Sequence, residues 1–240
     1  MTVVIKDNTG SFRDKALGWA GSPISTAGLE FAHFFGGSLE SSLRNFSYGK
    51  DNSTPTGVPT VKADSVSLQG RVNFINTAMP DGDELTLIVA FKPIELTSTM
   101  VAGNFISPGS GSGRKVAMAL GLTGVFTAFR GTDIDGNGAE TPTPLAMGVP
   151  VCIAMRTDNI GNPHIYAHNL TLGEVATKSN LGVPSLGGPI RIGGAYNTGG
   201  WDGKTEIYAA LGFSRKISDA ELATLYAWLK AYCARRAIAI

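Results

Sequence analysis

Three groups of side chains in this 240-residue chain have the types and spacing to do chemistry. In TDIDGNGAE, Asp133, Asp135, Asn137 and Glu140 surround Gly138. Carboxylates at alternate positions of a tight turn converge on one hard cation and the glycine permits the bend, so the chemistry on offer is calcium binding. The closing glutamate of a full twelve-residue calcium loop would fall at Pro144, and the same Asp/Asn/Gly composition also makes an ordinary turn. Tyr196, Asn197, Trp201 and Asp202 share one glycine-rich loop. Sugar recognition takes an aromatic face for apolar C–H patches and planar polar groups for hydroxyls, and this loop offers both. Core packing of Trp201 is the competing reading, leaving Tyr196 and Asn197 as the residues expected at the surface. Among the 3 histidines, His164 and His168 are four apart and would share a strand face, beside His33 elsewhere. Zinc there would need a third ligand, and Asp158 is the only nearby carboxylate, so the pair reads as strand surface.

Hydrolysis lacks its parts. A retaining glycosidase needs two carboxylates roughly 5 Å apart, as alternate acidic residues of one strand would present them. Here Glu84, Glu95, Glu140, Glu174 and Glu206 are isolated, and Asp81 and Asp83 fall in a turn that reads as solvated. No G-x-S-x-G elbow occurs, and SPGSGSGRK lacks the ending of a phosphate loop, reading instead as a flexible β–β connection. The expectation is a non-enzymatic chain with calcium as its one candidate cofactor.

The elements that must position these residues are clearest from Gly188 to Tyr232. A strand from Pro189 to Ile192 stops at Gly193 and Gly194, and the polar loop follows. From Thr205 to Phe213, period-two spacing places Ile207, Ala209, Leu211 and Phe213 on one face; Tyr208 and Ala210 are also apolar, so both faces should be covered. Ser218 with Glu221 three residues later is a capping box, which predicts a helix start. Leu222, Leu225, Tyr226, Leu229, Tyr232 and Cys233 then make a narrow apolar stripe that must lie on something.

Upstream, Ser38 to Phe46 fits a short helix, Asp83 to Pro93 a central strand with both faces apolar, and Pro150 to Arg156 with His164 to Leu170 an antiparallel hairpin. About ten short strands and one long helix emerge. With 31 glycines, 12 prolines and 16% charged residues, short strands joined by turns favour a sandwich or barrel. Cys152 and Cys233 both lie in apolar runs and read as buried hydrophobes rather than a disulfide.

The residues from Arg191 to Gly194, with Trp201, Gly203, Ile207, Phe213, Arg215, Ser218 to Glu221, Leu225 and Tyr226, resemble the end of the laminin-G-like, concanavalin A-like jelly roll found in many phage and bacterial surface proteins. The resemblance covers roughly Ser38 to Arg236. It implies an all-β jelly-roll sandwich over residues 27–240 with one C-terminal helix. Residues 1–26, with a short β-like run from Thr2 to Lys6, read as an N-terminal extension or attachment segment that either adds an edge strand or ties the domain to neighbouring subunits. The resemblance also implies a phage tail-fibre, baseplate or tail-tip protein that binds host-surface carbohydrate and other virion proteins as a homotrimer. A purely structural virion part, such as a capsid decoration, is the alternative.

A formal charge of +1 gives no electrostatic argument for nucleic acid or an anionic membrane. No run approaches the roughly 20 apolar residues of a membrane span, and the N-terminus MTVVIKDNTGSF has no signal-peptide pattern. Synthesis in a host cytoplasm and residence on a virion are expected.

Overall fold

Short apolar runs broken by Gly, Pro and Ser/Thr cannot sustain long helices, and the chain forms strands instead. The computed structural model describes residues 21–95, 97–106, 115–131, 136–158, 164–179, 185–196 and 200–240. In chain order these form β1 (Leu29–Phe34), α1 (Leu39–Leu43), β2 (Thr54–Thr56), β3 (Thr60–Val61), β4 (Val66–Gln69), β5 (Phe74–Asn76), β6 (Leu85–Pro93) and β7 (Thr99–Gly103). Then come β8 (Val116–Leu120), β9 (Phe126–Gly131), β10 (Gly136–Glu140), β11 (Val151–Asp158), β12 (His164–Asn169), β13 (Glu174–Ser179), β14 (Arg191–Ile192), β15 (Lys204–Phe213) and α2 (Asp219–Ala234).

The strands make two antiparallel sheets. One runs β13-β12-β11-β6-β15-β4-β3; the ten-residue β15 is long enough to seat β4 along Lys204–Ile207 and β1 along Ala209–Phe213 on the same edge. The other runs β10-β9-β8-β7-β14-β5-β2. Between them lies the main core, with Leu85, Leu87, Val89 and Phe91 of β6 facing Val101, Val116, Met118 and Phe126 of the second sheet. The opposite side chains of β6, Ile88 and Ala90, face α2, so this strand is central and covered on both sides, as its sequence predicts. The architecture is the expected sandwich with one long C-terminal helix.

The helix begins where the capping box places it. Ser218 Oγ accepts the Glu221 N–H at 3.2 Å, and the Glu221 carboxylate accepts the Ser218 N–H at 2.9 Å. Arg215 grips the same carboxylate at 2.6 and 3.0 Å and is the main cause that pulls its pKa down to about 2. Leu222, Leu225, Leu229 and Cys233 are buried against the outer face of the first sheet, each leucine contributing about 1.5–3 kcal/mol by burial. Cys152 lies in the same layer; both cysteines are free thiols.

Three expectations are corrected. First, Ile207 does not share a face with Ala209, Leu211 and Phe213. The pairing of β15 with β6 shifts between Ile207 and Ala209, making Tyr208 the extra residue of a β-bulge; Ile207 enters the inter-sheet core while the later three lie under α2. Second, the described residues hold fifteen strands, not ten. The additions include β10 and β13, too polar to show alternation, and β1, whose run LEFAHF is dense in apolar residues without a clean alternation. Third, Asp81 is not solvated. Its side chain is buried, paired with Arg130 at 2.6 Å, and accepts from Asn104 Nδ2 at 3.0 Å and Gly187 N–H at 2.9 Å. The strand expected over Thr2 to Lys6 lies outside the described residues.

At the end of β14 the chain needs glycine. Gly193 has φ +73°, and a Cβ there would come within 2.5 Å of the Leu68 side chain.

Candidate functional site

The predicted sugar loop is tied into the protein. Tyr196 donates its backbone N–H to Phe105 O at 2.9 Å and its hydroxyl to Pro189 O at 3.1 Å. The Arg191 guanidinium lies 3.4 Å from its ring centroid and 4.6 Å from that of Phe74. Trp201 is half-buried, edge-on to Phe105 at 5.3 Å. Asp202 accepts from Nε and Nη2 of Arg71, each at 2.5 Å. Arg71 and Trp201 both take left-handed backbone, φ 65° and 64°, and this ion pair pins the two strained positions together. Asn197 lies outside the described residues.

Of the predicted calcium ligands, Asp133 and Asp135 lie outside the described residues. Asn137 is placed on β10 opposite Arg130, and Glu140, exposed at the end of the same strand, accepts from Thr127 Oγ1 at 3.4 Å. The second half of TDIDGNGAE is therefore strand rather than turn. Among the described residues no three His, Cys, Asp or Glu side chains come together as a metal site.

A better-formed site lies where α2 starts across the β11–β12 hairpin. His164, Tyr166 and His168 line up on one face of β12, with ring centroids 6.1 and 6.4 Å apart and planes within 28° and 20°. Register places Asp158 opposite His164 and Arg156 opposite Tyr166 on β11. Above them the chain enters the helix through Lys216, Ile217, Ser218 and Asp219.

Each charge here has a counterpart. The Asp158 carboxylate accepts from Lys216 Nζ at 2.5 Å and Tyr166 OH at 3.1 Å, and lies 3.2 Å from His164 Nδ1. Burial pushes this carboxyl's pKa up, but Lys216, Tyr166 and His164 together outweigh burial and hold it below the usual range. Arg156, 3% exposed, donates to Asp219 Oδ1 at 2.5 Å and to Ile217 O at 2.9 Å. Its Nε and Nη2 also donate to His168 Nε2 at 3.2 and 3.1 Å.

Burial first, and the neighbouring Arg156 second, lower the His168 pKa to about 4, so the imidazole is neutral at physiological pH. Because Nε2 accepts, the proton sits on Nδ1, which has no hydrogen-bond partner among the described residues.

Arg156, Tyr166, His168, Lys216 and Asp219 form the polar end of a groove of about 800 Å³ between the β12–β13 hairpin and the first half of α2. Leu170, Val175, Leu222, Ala223 and Tyr226 make its apolar side. An apolar wall with an aromatic ring, set beside a few fixed donors and acceptors, is the arrangement that holds a small polar ligand by stacking and hydrogen bonds.

Sequence reasoning found the shared face of His164 and His168 and the nearby Asp158, but it read the pair as strand surface, whereas His168 is buried, and it missed the remaining partners. Arg156, Lys216, Asp219 and Tyr226 come from other elements and meet only once the hairpin closes and α2 docks. Tyr166, midway between the two histidines, was the available signal.

No protein-family model matches the chain, and no curated protein sequence matches it. Solved structures do. A Trypanosoma rangeli sialidase in complex with sialic acid superposes with TM-score 0.61 at 12% identity, over 85% of this chain and 33% of the sialidase. The receptor-binding domain of botulinum neurotoxin type G gives 0.57 at 10% identity, over 85% of this chain and 52% of that one. The fold is concanavalin A-like. The binding domain of botulinum neurotoxin DC in complex with SialylT agrees, at TM-score 0.59 and 8% identity over 84% of this chain and 52% of that one. The concanavalin A-like chain thus spans about a third of the sialidase and about half of the neurotoxin domains. At such identities the likeness is one of fold.

Proposed function

We propose that this concanavalin A-like chain is a non-enzymatic, lectin-like module that binds host-surface glycan, and that the sugar sits in the groove between α2 and the β12–β13 hairpin. The observation that carries the reading is the groove itself, with Tyr226 and apolar residues beside His168, Arg156 and Asp219. Two structures that share the fold were solved with sialic acid or SialylT, which supports a carbohydrate as ligand. Support for a non-catalytic role comes from three of the five isolated glutamates, which are engaged within the fold: Glu95 is paired with Lys204, Glu206 with Lys62 and Lys92, and Glu140 is hydrogen-bonded to Thr127. The setting we propose is a phage tail fibre, baseplate or tail tip, on the strength of the motif from Arg191 to Tyr226. There a trimer and neighbouring virion proteins would turn weak single sites into firm adhesion through multivalency.

A glycan array probed with the purified chain, with and without calcium, tests this. Tyr226→Ala and His168→Ala should each weaken binding about tenfold or more, equivalent to about 1.4 kcal/mol, whereas Tyr196→Ala should leave it close to the parent. Loss only in Tyr196→Ala would move the site to the loop. The absence of any glycan signal from the folded parent would leave the structural virion role.

A further inference from the structure

Given the glycan-binding reading, we infer that the groove selects neutral sugars over acidic ones, and that Asp219, by occupying Arg156, is the residue that sets this selectivity. The argument is one of charge and donor supply. Binding the carboxylate of an acidic sugar takes a guanidinium or ammonium with N–H groups to spare, best as a two-pronged fork. Arg156 has only one of its five N–H groups to spare, on Nη1, and so cannot offer a fork. It makes hydrogen bonds from Nε and Nη2 to His168, from Nη1 to Ile217 O and from Nη2 to Asp219. Lys216 is held by Asp158 and lies 4.0 Å from the Tyr166 ring centroid.

What remains open to a ligand is different in kind. His168 Nδ1–H is a donor without a partner among the described residues. The Asp219 side chain is 90% exposed and accepts from Arg156 through Oδ1, leaving Oδ2 as an acceptor. A hydroxyl both donates and accepts, so a sugar diol can satisfy the pair, whereas a carboxylate can only accept and would face Asp219. Glu174 adds to the bias. It lines the same groove, with one oxygen engaged by Thr143 and the other, Oε2, buried without a partner. An acidic sugar would thus meet two carboxylates and no unpaired cation. The two structures of this fold solved with sialic acid or SialylT do not point to this preference; the pairing of Arg156 does.

The test compares neutral hexose-terminated glycans with the same glycans capped by sialic acid, on one array. The parent should favour the neutral forms at least tenfold. Asp219→Asn removes a negative charge and loosens the hold on the guanidinium, since an amide oxygen accepts more weakly than a carboxylate, so it should shrink that ratio several-fold or reverse it. Asp219→Glu restores the pair and should restore the preference, which separates selectivity from any loss of folding. A parent that prefers the sialylated forms would overturn the inference while leaving glycan binding intact, as would an unchanged ratio in folded Asp219→Asn. Binding to neither set would overturn the glycan reading and this inference together.

Discussion

His33 shows what a single buried base does to this fold. It is fully buried on β1, its ring stacked between those of Phe31 and Phe35 at 5.8 and 5.7 Å, with Nε2 2.8 Å from Ser53 Oγ. Burial lowers its pKa from 6.5 to about 4. The folded state therefore takes up a proton less readily than the unfolded chain. The stability tied to neutral His33 is present in full above pH 6.5 and is lost as pH falls from there towards 4, at a cost on the order of 3 kcal/mol. His168, depressed to a similar value, adds in the same direction. Urea midpoints should be level above pH 7 and fall steeply across that window, and His33→Gln should flatten part of the slope. A parent profile without slope between pH 6.5 and 4 would show that the folded state does not hold these bases neutral.

At the scale of the element, α2 is fixed at its start by residues that the sequence alone identifies. Ser218→Ala removes the hydroxyl that accepts the Glu221 N–H, and should cost about 1 kcal/mol in chemical denaturation. Because Arg215 still holds the Glu221 carboxylate, the helix should begin at the same residue, and the far-ultraviolet circular dichroism should be nearly unchanged. This helix was legible because its cap and stripe are local, and β6 was legible because nine successive residues declare both of its faces. Features that depend on partners were not. The bulge at Tyr208 exists only against β6, and β10 is two glycines, an asparagine, an alanine and a glutamate that become a strand by pairing with β9. The same division runs through the site. Spacing placed His164 and His168 on one face, but their ring neighbour's cations and the exposed Asp219 arrive from β11 and the start of α2, more than forty residues apart in sequence. Asp81 read as a loop acid because its partner Arg130 is equally remote.

For the whole molecule, the layer beneath α2 decides whether the sandwich is soluble as one body. Without the helix, Ile88, Ala90, Cys152, Ala154, Leu211 and Phe213 would form a contiguous apolar sheet face open to water. The two thiols report on that layer from its opposite sides, since Cys152 belongs to β11 and Cys233 to α2, and both are buried. Burial also raises both thiol pKa values, that of Cys233 to about 11, so little thiolate exists in the folded state at neutral pH. If helix and sandwich unfold as a unit, a thiol reagent added to the native chain should modify neither cysteine on the timescale in which it modifies the denatured chain completely. The labelling rate of the two should then rise together with urea, following the global transition. Rapid modification of Cys233 and Cys152 well below the urea midpoint, with the sheet signal intact, would instead mean that α2 lifts off on its own. In that case the groove it walls would be a transient feature, and the proposed sugar site would have to be sought on the sheet without it.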